Sequence, residues 1–274
     1  MIEPELWGKN NDLTTLVNIE YIEKFKELIV WKENESIFEF GMGDGRNTKE
    51  ALLPRLPKNF KEYIGSDKSA TMIDYVKTNI LEPRATFMVF DISSDTVPEE
   101  FENRFDHVFG FFVMHWVKNT RHAFQNMHKL LKPGGQLFLT FIDETSADPV
   151  YFDFLKHSKW SKYNHEWLIS PYFNHPDPEN EYKKQLVQAG FEQFEYQREK
   201  KIYKFPNEES FKGFCLSVNP VLKEVSKEEY DEYKAEYLVK MANNKLNFTK
   251  KCCETGKTLY HSSYELNAVL ANKK

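Results

Sequence analysis

Apolar and polar positions alternate along the chain in two rhythms, short apolar runs and longer amphipathic stretches. Leu13, Leu16, Val17, Ile19, Ile22, Phe25, Leu28 and Ile29 recur at helical spacing and predict a helix with one apolar face within residues 1–30. Ile37 to Phe40 is a short apolar run with Glu39 inside it and reads as a buried strand. A helical pattern opens at Thr48 and stops near Pro54. Further strands are predicted at Tyr63–Asp67, Thr86–Ile92, Phe105–Phe112 and Gln136–Ile142. Helical patterns begin at Ser69 and run from Arg121 to Leu131. Strands alternating with helices in this way predict a doubly wound α/β fold with a parallel sheet.

After Asp143 the rhythm changes. Residues 144–182 are rich in proline and aromatics, among them Tyr151, Trp160, Tyr163, Trp167 and Tyr172. Glu179–Ala189 reads as a helix stopped by Gly190. Phe191–Phe205 alternates as a sixth strand, 207–247 is charged and helical, and Leu259–Leu270 is a last strand. One domain spanning 1–274 is expected, with a core at 35–142 and cap elements at 1–30, 144–182 and 206–247.

Between the Ile37 run and the Thr48 helix stand Gly41, Gly43 and Gly45. Glycines at such a bend supply positive φ or let a ligand approach the backbone. The spacing E-x-G-x-G-x-G departs from G-x-G-x-x-G, which brings a pyrophosphate to a helix N-terminus. Glu39 would repel a phosphate and suits a cation. Asp67 ends the second strand, where an acid accepts from ribose hydroxyls; its alternative role is to cap the next helix, as Ser69 also can. Met72, one turn into that helix, would cover a base or simply fill core. Asp91 closes the third strand.

Composition narrows the choices. Hydrophobic residues make up 41% and aromatics 15%, enough for a full core and suited to an apolar ligand. The net charge is −5 with no basic block, which argues against a nucleic-acid partner. The three cysteines, Cys215, Cys252 and Cys253, form neither a disulfide framework nor a C-x-x-C site, so a reducing, cytoplasmic compartment is expected. Glu3 and Glu5 stand where a leader would be apolar, so no signal peptide is expected. The run Val108–Val117 is too short to insert in a membrane. His165 and His175 lack partners at ligand spacing, so no metal is expected.

The set Glu39-x-Gly41-x-Gly43-x-Gly45, Asp67, Asp91-Ile92, Phe105-Asp106-x-Val108 and Lys132-Pro133-Gly134-Gly135 resembles the class I S-adenosylmethionine-dependent methyltransferases over residues 35–142. That resemblance implies a seven-stranded, doubly wound, mostly parallel sheet whose last strand is antiparallel, and S-adenosyl-L-methionine as cofactor. A narrower likeness runs nearly end to end. Glu5-Leu6-Trp7-x-Lys9-x-Asn11, Trp31-Lys32, Leu53-x-x-Leu56-Pro57-Lys58, His115-Trp116, Lys159-Trp160, Ile169-Ser170-Pro171-Tyr172 and Asp177-Pro178-Glu179 resemble the arthropod juvenile hormone acid O-methyltransferases. In that family a sesquiterpenoid carboxylate, such as that of farnesoic acid, takes the methyl group.

The resemblance distributes roles. Glu39 is expected at the ammonium end of the cofactor, and Gly41, Met42, Gly43 and Gly45 against its methionine part. Asp67, with Lys68 beside it, is expected at the ribose. Met72, Asp91 and Ile92 are expected at the adenine, and Phe111 at the carboxyl end of the fourth strand. His115 and Trp116 follow as catalytic candidates, with Trp116 also offering an N–H to the substrate. Trp7, Thr14, Tyr151 and Tyr172 complete the acceptor-binding candidates, with Trp160 and Trp167 as further candidate walls of an apolar tunnel, and cap core is the alternative for each aromatic. A carboxylate is ionised at neutral pH, so no general base is required. Thr14 stands where the family usually has glutamine, Leu16 where a basic residue is common, and Met42 where cysteine or alanine is common. Two alternatives stay open: a methyltransferase for another small molecule, and a non-catalytic binder of apolar ligands. The expected partner is a small apolar acid, and the expected assembly a monomer or homodimer.

Overall fold

The computed structural model describes residues 12–274. One sheet organises them. Its strands are β1 Ser36–Phe40, β2 Glu62–Asp67, β3 Ala85–Val89, β4 Phe105–Phe111, β5 Leu131–Ile142, β6 Gln193–Lys204, β7 Asn247–Lys251 and β8 Thr258–Asn272. The order is β3-β2-β1-β4-β5-β8-β6, with β7 also paired to β8. The pairings among β1 to β5 are parallel, and β8 is antiparallel to β5, β6 and β7, so β8 alone runs against the rest.

The sheet is therefore eight-stranded, one strand more than the seven expected. The addition is β7. Its sequence, Asn-Phe-Thr-Lys-Lys, carries little strand signal. It forms because β8 runs on beyond its pairing with β5, which stops at Leu266, and offers Thr258–Ser262 as an edge.

The helices are α1 Asp12–Phe25, α2 Ala70–Asn79, α3 Thr120–Leu130, α4 Asp148–Leu155, α5 Pro178–Ala189, α6 Glu208–Ser217 and α7 Tyr230–Ala242. Strand alternation assigns the layers. Phe38 and Phe40 of β1 meet Phe124 and Met127 of α3 and Tyr182 and Leu186 of α5 on one face. Ile37 meets Val17, Tyr21, Ile22 and Phe25 of α1 on the other. β1 is buried along its whole length, as a central strand covered on both faces must be. The helix expected from Thr48 is only a π turn, Thr48–Leu52, and a 3-10 turn, Leu53–Arg55. Pro54 cannot continue an α ladder.

A second core lies beyond the sheet. α4, α6 and α7 bury Tyr151, Phe154, Trp160, Tyr233 and Tyr237 against one another. These residues come from 144–182 and 206–247, whereas α1 packs on the sheet. Among the described residues no helix is long and apolar enough to cross a membrane.

Candidate active site

The loop after β1 places Gly41, Gly43 and Gly45 at φ of 63°, 59° and 77°. A Cβ on Gly41 would stand 2.3 Å from Val113 Cγ2, and one on Gly45 2.5 Å from Val76 Cγ1. Left-handed backbone and close neighbours both demand glycine here. The loop turns onto Asp67, the last residue of β2. Its Oδ2 accepts the Gly43 N–H at 2.9 Å and its Oδ1 accepts the Ser69 N–H at 2.9 Å. Ser69 separately caps α2, accepting the Met72 N–H at 3.4 Å. The carboxylate is thus locked to the glycine bend, while the cap is the serine's task.

A cleft of about 280 Å³ opens where β1 to β4 end, near the lower bound of about 300 Å³ for small-molecule sites. Asp67, Lys68 and Asp91 bring it charge. Phe90, Ile92, Phe112, Val113, Val117 and Trp167 bring it apolar surface. Phe112 and Trp116 also border a second cavity of about 60 Å³. Leu13, Ile142, Ala147, Phe214 and Val218 make that cavity apolar, and Thr14, His115 and Thr145 are among its polar groups.

Phe112 shapes the wall between the two. Its φ is 51°, a conformation that costs a side-chain-bearing residue about 1–2 kcal/mol, and its N–H donates to Thr140 O at 2.7 Å. His115 is 5% exposed, and its Nδ1 has no hydrogen-bond partner among the described residues. Burial pulls its pKa down to about 3, so the imidazole is neutral at physiological pH. Thr14 Oγ1 accepts from Asn47 Nδ2 at 3.3 Å, and Asn47 Oδ1 accepts from Asn18 Nδ2 at 2.9 Å. Thr140 Oγ1 in turn donates to Asn18 Oδ1 at 2.5 Å, so α1 is tied both to the glycine loop and to β5.

Residues 38–137 match a family described as "Methyltransferase domain". The chain is 30% identical over 242 residues to the juvenile hormone acid O-methyltransferase of Bombyx mori, with 85% of each chain covered. The chain belongs to the juvenile hormone acid O-methyltransferase family. It is 27% identical over 223 residues to the Drosophila melanogaster enzyme of that name, covering 79% of this chain and 75% of that one. The fold is that of the YcgJ protein of Bacillus subtilis, with a TM-score of 0.55 at 16% identity over 93% of this chain and 98% of that chain. The chain is an S-adenosylmethionine-dependent methyltransferase.

In this methyltransferase Gly41, Asp67, Lys68, Asp91, Ile92 and Trp116 line the cleft together, and Thr14, His115 and Trp116 line the cavity. Other expected residues lie elsewhere. Phe111 stacks on Phe109 and meets Phe138 edge-on inside the sheet layer, and the next residue, Phe112, faces the cleft instead. Met42 is buried over Gly65, where a Cβ would stand 2.5 Å from its Sδ. Met72 is 1% exposed and lines neither space. Tyr151 sits in the cap core with its hydroxyl donating to Val218 O at 2.8 Å. Tyr172 is bound through its hydroxyl to Thr120 Oγ1 and Gln185 Nε2, at 3.1 and 2.5 Å. Trp7 lies outside the described residues. Val113, Ser93 and Lys118 line the cleft without any local motif to mark them, and Trp167 of the aromatic-rich stretch lines it too, whereas Trp160 is buried in the cap core.

Glu39 lies behind the glycine loop. Its Oε2 accepts from Thr48 Oγ1 at 2.8 Å and from the Tyr63 hydroxyl at 2.5 Å. Burial lifts its pKa from 4.5 to about 7, against the opposing pull of those two donors. The folded protein therefore holds a proton here that the unfolded chain releases between 4.5 and about 7. Glu39 favours the fold most below 4.5, and the contribution is lost as pH rises through about 7. At ~1.4 kcal/mol for each pH unit, the change is roughly 3 kcal/mol. Glu39→Gln is expected to gain thermal stability relative to the wild type as the buffer moves from about pH 5 to about pH 8. A difference in melting temperature that stays constant across that range contradicts the buried, protonatable carboxyl.

Proposed function

We propose that this methyltransferase esterifies the carboxylate of an apolar, sesquiterpenoid-type acid. The observation that carries the reading is the shared wall: a cleft with carboxylates and an apolar cavity meet at Phe112 and Trp116. The names of the Bombyx and Drosophila relatives support the acid as acceptor.

The donor set of the cleft fits S-adenosylmethionine. Asp67 offers an immobilised carboxylate for ribose hydroxyls, Asp91 an acceptor for an amino group, and Phe90 and Ile92 apolar surface for a base. Of the glycine loop, Gly41 lines the cleft and offers its backbone to the amino-acid part, with Lys68 also in the lining, whereas Gly43 and Gly45 are buried outside that lining. When bound, S-adenosylmethionine supplies a methyl group on a sulfonium, already activated for displacement. The protein's share is orientation and exclusion of water, a proximity effect worth up to ~7–11 kcal/mol. On the acceptor side Trp116 offers an indole N–H, and the neutral His115 a hydrogen bond without net charge. Neither has to move a proton, because the acid arrives ionised. At about 60 Å³ the cavity takes the carboxyl end of an acid, and cap elements must shift to admit a longer chain.

The test is turnover with methyl-labelled S-adenosylmethionine over a panel of farnesoic acid, juvenile hormone acid, straight-chain fatty acids and phenols. Label is expected in a base-labile methyl ester of a terpenoid acid. Turnover of a phenol or unrelated acid, with the terpenoid acids untouched, selects a methyltransferase of different specificity. No calorimetric heat on adding S-adenosylmethionine would leave only a cofactor-free binder.

A further inference from the structure

One buried carboxylate outside the motifs joins the two spaces from above. Asp148, at the start of α4, is 0% exposed. Its Oδ2 accepts the Thr145 N–H at 2.7 Å, and its Oδ1 accepts the Thr145 hydroxyl at 3.0 Å and the Ser170 N–H at 3.1 Å. Thr145 lines the acceptor cavity. Ser170 ends the strap Glu166–Ser170, whose Trp167 lines the cofactor cleft. The strap's other anchor is Lys118, which donates from Nζ to Glu166 O at 3.3 Å and to Ile169 O, and which lines the same cleft. Burial alone would push the Asp148 carboxyl up, and its pKa stands at about 6 despite the donors gathered on it. A fully buried carboxylate on three donors is costly to keep and strongly ordering.

The geometry points to Asp148 as a positioning residue for methyl transfer, one that holds the Thr145 wall of the acceptor cavity and the Trp167 strap of the cofactor cleft in fixed relation. Phe112 and Trp116 join the two spaces below, and Asp148 joins them above. This rests on the proposed assignment of the two spaces to donor and acceptor. Displacement of one wall by about 1 Å is enough to cost methyl transfer up to ~100-fold, because the displacement is in-line.

The test compares Asp148→Ala and Asp148→Asn with the wild type in the full chain. Asparagine keeps one acceptor oxygen for Ser170 N–H and the Thr145 hydroxyl, but turns N–H groups toward Thr145 N–H. With whichever acid the wild type methylates, kcat is expected to fall about 10–100-fold in the alanine variant, with partial recovery in the asparagine variant. Affinity for S-adenosylhomocysteine should fall less than kcat. Hydrogen exchange gives a readout independent of turnover. The Ser170 amide and the strap 166–170 should exchange at least about tenfold faster in the alanine variant and less so in the asparagine variant, while α4 and α7 stay protected. Unchanged exchange of the strap overturns the proposal, whether or not the acid has been identified. So does an unchanged kcat in a folded alanine variant. A wild type that methylates no apolar acid sinks the functional reading instead, and leaves the strap exchange to decide the role of Asp148. Should the alanine variant fail to fold, the asparagine variant decides by kcat and by exchange of the Thr145 amide, which it leaves without an acceptor; both unchanged overturns the proposal.

Discussion

Asp67→Ala is expected to weaken S-adenosylhomocysteine binding at least about 100-fold in calorimetry. Each hydrogen bond from a ligand hydroxyl to this carboxylate is worth about 1.5–3 kcal/mol, and two ribose hydroxyls are in question. The substitution also strips Gly43 N–H and Ser69 N–H of the acceptor that fixes the glycine bend, so the rest of the cradle loosens. Asp91→Ala is the internal comparison. Asp91 is exposed and its Oδ1 is engaged by Ser93 N–H and Oγ, at 2.9 and 2.7 Å, within its own turn. Its loss should cost about tenfold, a single hydrogen bond. A folded Asp67→Ala protein that binds as tightly as the wild type means the nucleoside lies elsewhere.

Trp116→Ala is expected to lower kcat/KM for the acid about 100-fold while changing cofactor affinity less than about tenfold. A tryptophan presents up to ~250 Å² of surface, and at ~25 cal/mol per Å² even half of it amounts to about 3 kcal/mol. In the cavity of about 60 Å³ it forms, with Phe112, the wall shared with the cleft, and the N–H it offers to the acid goes with it. In the cleft Phe90, Ile92, Val113, Val117 and Trp167 still surround the cofactor space. Steady-state kinetics on the acid and calorimetry on the cofactor separate the two effects. Equal loss of both would make Trp116 a structural wall and nothing more.

The parts of this site that the sequence displays are those whose residue type is dictated locally. Gly41, Gly43 and Gly45 stand at alternate positions because the bend needs positive φ at each, and no other residue tolerates that run. Asp67 is legible as a cleft residue because a strand end can be read from the sequence, and the carboxyl end of a parallel strand opens on the cleft. Phe112 could not be separated from Phe111, since the choice depends on a reversal of the backbone at one residue. Strand alternation puts Glu39 on the face of Ile37, and that face is covered by α1, not by the cleft. The cap aromatics were opaque for another reason. Trp160 Nε1 finds Glu236 at 2.6 Å and the Tyr151 hydroxyl finds Val218 O, partners far along the chain that no local spacing encodes. Composition alone cannot tell such a buried tyrosine from a pocket wall such as Trp167, which is 40% exposed in the cleft. β7 is not legible in the sequence because an edge supplied by β8, rather than its own residues, makes it a strand.

The most direct measurement is a crystal structure of the protein with S-adenosylhomocysteine and a terpenoid acid. The account predicts ribose hydroxyls on Asp67, the base among Phe90, Ile92 and Asp91, and the carboxylate of the acid on the far side of the Phe112–Trp116 wall, facing the cofactor sulfur. A nucleoside bound away from Asp67, or an acid whose carboxylate points into solvent rather than toward that wall, contradicts it.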